Sequence, residues 1–170
     1  MALFSDTESS SGNTVQAGTL ELSFNSGGSF NFSTSLAPTE STQDSVTLVN
    51  GGSVTGSVDV DVSYSESDGG TSSPDMTAQE VAQNLNVLTL DYGGTNLLNG
   101  QNLPANPTLH DLANNDQSES GTNNDLVNLS DPGAGTDFTV ELELANVGDD
   151  FQADGVAITF AFDLNQTDGQ

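Results

Sequence analysis

Apolar residues in this chain recur with a period of two more often than with the helical 3.6, and the alternating runs are separated by clusters of turn-forming residues. The first run is Thr19–Phe24, in which Leu20, Leu22 and Phe24 share one face and Thr19, Glu21 and Ser23 the other, as a half-buried strand requires. Phe30 and Phe32 repeat the pattern briefly, and Ser33–Ser45, containing Pro38, reads as a loop. Val46 and Leu48 then lead to Asn50-Gly51-Gly52, which predicts a β-hairpin turn. Val58, Val60, Val62 and Tyr64 form the next inward row, with Asp59, Asp61 and Ser63 turned to water. After the polar loop Glu66–Asp75, Thr77-Ala78-Gln79-Glu80 has the form of a capping box and predicts one short helix ending near Asn84. Leu88, Leu90 and Tyr92 mark a strand before Gly93-Gly94. Two more strands close the chain, one burying Phe138, Val140, Leu142 and Leu144, the other Val156, Ile158, Phe160 and Phe162.

Between Thr95 and Pro132 the alternation is lost in an Asn-rich, Gly-punctuated stretch, with a turn of helix at Leu109–Ala113 and an acidic loop at Asn114–Asp125. The rows together predict an all-β domain, a sandwich or jelly roll of about seven or eight strands with one or two short helices. No internal repeat of fixed period is present. No apolar run approaches the roughly 18 residues that would span a membrane.

Composition changes the picture sharply. The 170 residues include 25 Asp and Glu but no Lys or Arg, a formal charge of −25. Without cationic side chains the chain cannot neutralise phosphates, which excludes direct nucleic-acid binding, and an anionic membrane surface repels it. Such acidity has two usual readings, disorder or a folded surface adapted to concentrated salt, and the clean alternation favours the second. Molar salt shrinks the Debye length from roughly 10 Å to about 3 Å, which screens self-repulsion. An acidic protein of ordinary habitat is the alternative. Cysteine is absent, so disulfides, thiolate metal sites and thiol nucleophiles are excluded.

The amino terminus is unusual. An apolar tip, Met1-Ala2-Leu3-Phe4, precedes Ser5-Asp6-Thr7-Glu8 and a polar tether, Ser9-Ser10-Ser11-Gly12-Asn13, before the first core-facing strand. Leu3 and Phe4 have no strand adjacent in sequence to cover them, and burying one such side chain is worth about 1.5–3 kcal/mol. The tip either folds back on its own domain or inserts into a neighbouring copy, pairing an extended arm with an open sheet edge. Repeated head to tail, the second arrangement yields a filament. Alternation lets only Met1 and Leu3, or Ala2 and Phe4, face an acceptor, and Phe4 is the larger anchor.

The run from Phe4 to Leu22, FSDTESSSGNTVQAGTLEL, resembles the amino-terminal signature of the TasA/camelysin family of secreted biofilm-fibre subunits, whose archaeal relatives include bundling pili. Ser45–Val58 resembles that family's internal strand pair, and Phe151–Gln166 its closing strand, whereas Thr95–Pro132 shows no family pattern. The resemblance implies a jelly-roll subunit, residues 14–170, preceded by a donor strand and tether, residues 1–13. Met1, Ala2, Leu3, Phe4, Ser5, Asp6, Thr7 and Glu8 would complete the sheet of the next subunit. It further implies export with a cleaved signal peptide, so that Met1 can be the first mature residue, and an extracellular homopolymer supporting adhesion, bundling or biofilm formation. Family members usually carry Lys residues, which are missing here, so ion pairing between subunits does not carry over.

Candidate chemistry is sparse. His110 is the single histidine and reads as a loop residue beside Asp111, so neither a His-based metal pair nor a supported Ser-His triad can be built, and no enzymatic activity is expected. Carboxylate pairs such as Asp59 with Asp61, Glu141 with Glu143, and Asp149-Asp150 read as solvated surface. No cofactor is expected beyond weak binding of calcium or another hard cation, for which Asp163–Gly169, Glu66–Asp68 and Asp116–Asp125 are candidate segments. Asn31, Asn128 and Asn165 open N-glycosylation sequons on an exported chain. The alternative to a filament subunit is a monomeric secreted or cell-surface sandwich that binds glycans or cations, and a hydrolase comes third.

Overall fold

Alternating rows need a second apolar surface to face, and the computed structural model provides it as two antiparallel sheets laid against each other. The structure describes residues 5–9, 22–25, 30, 36–67, 76–117, 125–148, 151 and 154–166. In chain order the strands are β1 (Ser5–Ser9), β2 (Leu22–Asn25), β3 (Ser41–Asn50), β4 (Gly56–Glu66), β5 (Leu85–Tyr92), β6 (Thr95–Asn96), β7 (Leu126–Leu129), β8 (Thr136–Leu144) and β9 (Val156–Gln166). One sheet has the order β1-β9-β4-β7 and the other β2-β3-β8-β5-β6, so the all-β sandwich expected from the periodicity is present.

The core lies between the sheets. Val58, Val60 and Val62 of β4 and Phe160, Phe162 and Leu164 of β9 face Leu48, Phe138, Val140, Leu142 and Leu90. Phe138 packs edge-on against Phe160 and Phe162, with ring centroids 5.9 and 5.2 Å apart. Two short helices, α1 (Ala78–Gln83) and α2 (Leu109–Leu112), bury Val81, Ala82, Leu109 and Leu112 in the same core. Each starts with a capping box, Thr77 with Glu80 and Thr108 with Asp111.

Three expectations need correction. Asn50-Gly51-Gly52 is not a hairpin turn: β3 pairs with β2 and β8 while β4 pairs with β7 and β9, so the segment carries the chain from one sheet to the other. Asn50 spends its side chain on that crossing, accepting from Gly52 N–H and donating to Val54 O and Asp131 Oδ2. The two-residue hairpin is Gly93-Gly94, both at positive φ, between β5 and β6. Secondly, β3 begins at Ser41, inside the segment expected to be loop. Ser41–Ser45 has no apolar alternation, yet pairs with Glu143–Thr139 of β8. Thirdly, Leu88 does not share a face with Leu90 and Tyr92. The register slips between Val87 and Thr89, a β-bulge that leaves Leu88 44% exposed and brings Leu85 and Val87 inward instead.

Candidate functional site

Two places stand out, both on the β1-β9-β4-β7 sheet. The first is its β9 edge. The strands at the sheet edges are short, five residues in β1, four in β7 and β2 and two in β6, which limits the unpaired backbone offered to other chains. β9 has eleven residues, and β1 covers it only from Ala161 to Asn165. Val156–Phe160 pairs with β4 on one side and, among the described residues, with no strand on the other.

The arm that covers this edge is polar throughout, Ser5-Asp6-Thr7-Glu8-Ser9. Its register sets Asp6 opposite Leu164 and Glu8 opposite Phe162, whose side chains are buried, and sets Ser5, Thr7 and Ser9 opposite Asn165, Asp163 and Ala161. The arm therefore meets β9 through backbone pairing and supplies no apolar residue to the core from these five positions. Thus Ser5–Glu8 of the predicted donor segment lie on their own chain's sheet, while Met1, Ala2, Leu3 and Phe4 fall outside the described residues.

The second place is a buried carboxylate at the start of β7. Asp125 is fully buried, 0% exposed. Its N–H donates to Val60 O (2.8 Å) and its Oδ2 accepts from Val62 N–H (2.7 Å), so it brackets Asp61 on the neighbouring strand. Its main-chain oxygen accepts from the side-chain amides of Asn115 and Gln117, at 2.7 and 2.9 Å. Oδ1 is buried and accepts no hydrogen bond. Burial pushes the carboxyl up to about 6 against the pull of the Val62 N–H, and the carboxylates of Asp61, in contact with it, and Asp116 push the same way. The pattern could not announce Asp125, which follows a polar run, and only the convergence of β4, β7 and the 115–117 segment buries it.

The remaining candidates are dispersed. His110 sits in α2 rather than in a loop. Its Nδ1 shares a hydrogen bond with the Tyr64 hydroxyl, while Asp111 Oδ2 is engaged by the Thr108 cap. Asp163–Gln166 is strand, which excludes the looped geometry of a calcium hand over those positions. Asn128 is exposed at φ 56, whereas Asn165 is half-buried with its amide donating to Asp59 Oδ2 at 3.0 Å; Asn31 and Asp149-Asp150 lie outside the described residues. Asp59 also accepts from Asn128 N–H, and burial holds its carboxyl above the usual range, with Asp163 across the strand adding to the shift.

Among the described residues no group of three or more His, Asp and Glu is gathered closely enough to hold a metal ion, and no helix is long and apolar enough to cross a membrane. Neither a protein-family model nor a curated protein sequence matches the chain.

Proposed function

We propose that this chain is the structural subunit of an extracellular filament, a pilus or biofilm-matrix fibre, in which the amino-terminal arm of one copy pairs with the β9 edge of the next. The observation that carries the reading is the polar five-residue β1 lying on an eleven-residue β9. Antiparallel pairing is the same whether the arm comes from its own chain or from another, and the twelve residues between Ser9 and Leu22 supply a link to be re-routed. A cis arm held by backbone bonds alone is exchanged at little cost, and insertion of Leu3 and Phe4 into a neighbour would favour the trans form. The resemblance of Phe4–Leu22 to the TasA/camelysin signature falls on this arm and its link to β2. Adhesion and lateral bundling are properties of such a fibre, and the subunit needs no enzymatic activity or cofactor for them.

The pairing of β1 with its own β9 favours a second reading, a monomeric secreted or cell-surface sandwich that keeps its arm and binds a glycan or cation. One double variant separates the two. The chain has no cysteine, and Ser9 and Ala161 are register partners, so Ser9→Cys with Ala161→Cys places a disulfide across the pairing. Oxidised in molar salt, the filament yields a ladder of covalent multimers on a non-reducing gel and fibres by electron microscopy. A product made only of internally bridged monomers, with no fibres at any salt concentration, rules the filament out.

A further inference from the structure

We propose that Asp61 and Asp125 form a binding site for a hard divalent cation of the calcium class, with Asp116 reinforcing the local negative potential. Asp125 is 0% exposed and its Oδ1 accepts no hydrogen bond, a state a buried carboxylate oxygen does not ordinarily keep. The backbone bonds of Asp125 to Val60 and Val62 hold it beside Asp61, the residue between them, on the water-facing side of β4. Two carboxylates in contact cannot both stay ionised without a positive charge between them. In most proteins a Lys or Arg supplies it; this chain has neither, and His110 is engaged by Tyr64. The positive charge must then come from solution.

Ligand chemistry selects the class. The oxygens available are hard, and no thiolate exists in the chain to favour zinc or copper. With two carboxylates and no third such ligand among the described residues, the remaining positions fall to water and main-chain carbonyls, which calcium accepts in irregular geometry. Magnesium demands a near-ideal octahedron and keeps its own water, so it fits less well. Bound there, the ion would link β4 to the start of β7, where Asn115 and Gln117 already hold the main chain.

The test is calcium titration of the full chain at pH 7.5 in constant molar NaCl, followed by isothermal calorimetry and by the thermal midpoint. One equivalent should bind saturably, with a Kd of about 10⁻⁴–10⁻³ M, and raise the midpoint. Asp61→Asn should weaken binding at least tenfold. Asp125→Asn should abolish the midpoint shift, and it is close enough in shape to fold should the first variant fail. Glu141→Gln, which removes one charge from the opposite sheet, should bind as the parent does, and magnesium should bind at least tenfold more weakly. Absence of saturable binding, equal losses in Asp61→Asn and Glu141→Gln, or equal affinity for magnesium would each overturn the assignment.

Discussion

A surface carboxylate usually finds an ammonium or guanidinium group, and here hydroxyls and amides take that place. On the outer face of the five-stranded sheet, Thr47 donates to Asp137, Ser41 and Thr89 both donate to Glu141, and Asn86 donates to Glu143. Each carboxylate of β8 is thus held by neutral donors from the flanking strands, which adds hydrogen bonds without adding cations. Asp125 lacks such a complement and should control the response to pH. Folded Asp125 keeps its proton to about pH 6, whereas an ordinary aspartate loses it near 3.8. The folded state therefore binds the extra proton between those values. Its stabilising contribution is full below 3.8 and is lost as pH rises through about 6. Urea unfolding in molar salt without divalent cations should show the parent losing on the order of 2–3 kcal/mol from pH 4 to 7.5 beyond any loss in Asp125→Asn. Parallel pH profiles for the two proteins would contradict the burial argument.

At the scale of elements, pairing overrides local pattern. The bulge at Leu88 inverts the parity of β5, so apolar character there does not mean burial. Leu88→Thr should therefore change stability by about 0.5 kcal/mol or less, while Leu90→Ala, at a fully buried position two residues on, should cost about 2–5 kcal/mol in the same denaturant titration. Comparable losses at both positions would mean that β5 is paired in a different register. The crossing between sheets has its own fastening. Asp131 accepts from Asn50 Nδ2 and Gly56 N–H through Oδ2 and from Gly133 N–H through Oδ1, tying the β3–β4 crossing to the β7–β8 turn. Gly56 must be glycine, because a Cβ there would sit 2.7 Å from both the Asn165 carbonyl oxygen and Leu164 Cδ1.

For the whole molecule the governing quantity is the charge of −25 carried by a sandwich with no basic side chain. Repulsion among these carboxylates acts across most of the domain in dilute buffer and over only about 3 Å at molar ionic strength. The thermal midpoint should therefore climb with NaCl from 0.1 to 2 M, by about 10 °C or more if several kcal/mol of repulsion are screened, at roughly 2–4 °C per kcal/mol for a domain near this size. A midpoint independent of salt would show that the surface charge is not felt by the fold. Within that response β1 should loosen first, because Asp6 and Glu8 lie in register with the buried row of β9 and the strand is held by backbone pairing. Amide exchange of Ser5–Ser9 against that of β8 measures the order.

By itself the sequence determined what local chemistry determines. The rows Val58-Val60-Val62 and Phe138-Val140-Leu142 faced inward because alternate strand residues must, and α1 began at the Thr77–Glu80 box because those two side chains satisfy the first-turn donors. The absence of Lys, Arg and Cys excluded whole classes of function before any fold was known. Tertiary structure alone decided which strand lies beside which: that Asn50 crosses between sheets, that the polar Ser41–Ser45 is strand because β8 pairs with it, and that the polar arm Ser5–Ser9 lies on β9. It also decided that Asp125, one acid among 25, is buried. Hydrogen-bond partners far apart in sequence leave no mark on the local hydrophobic period, which reports only how a segment meets water.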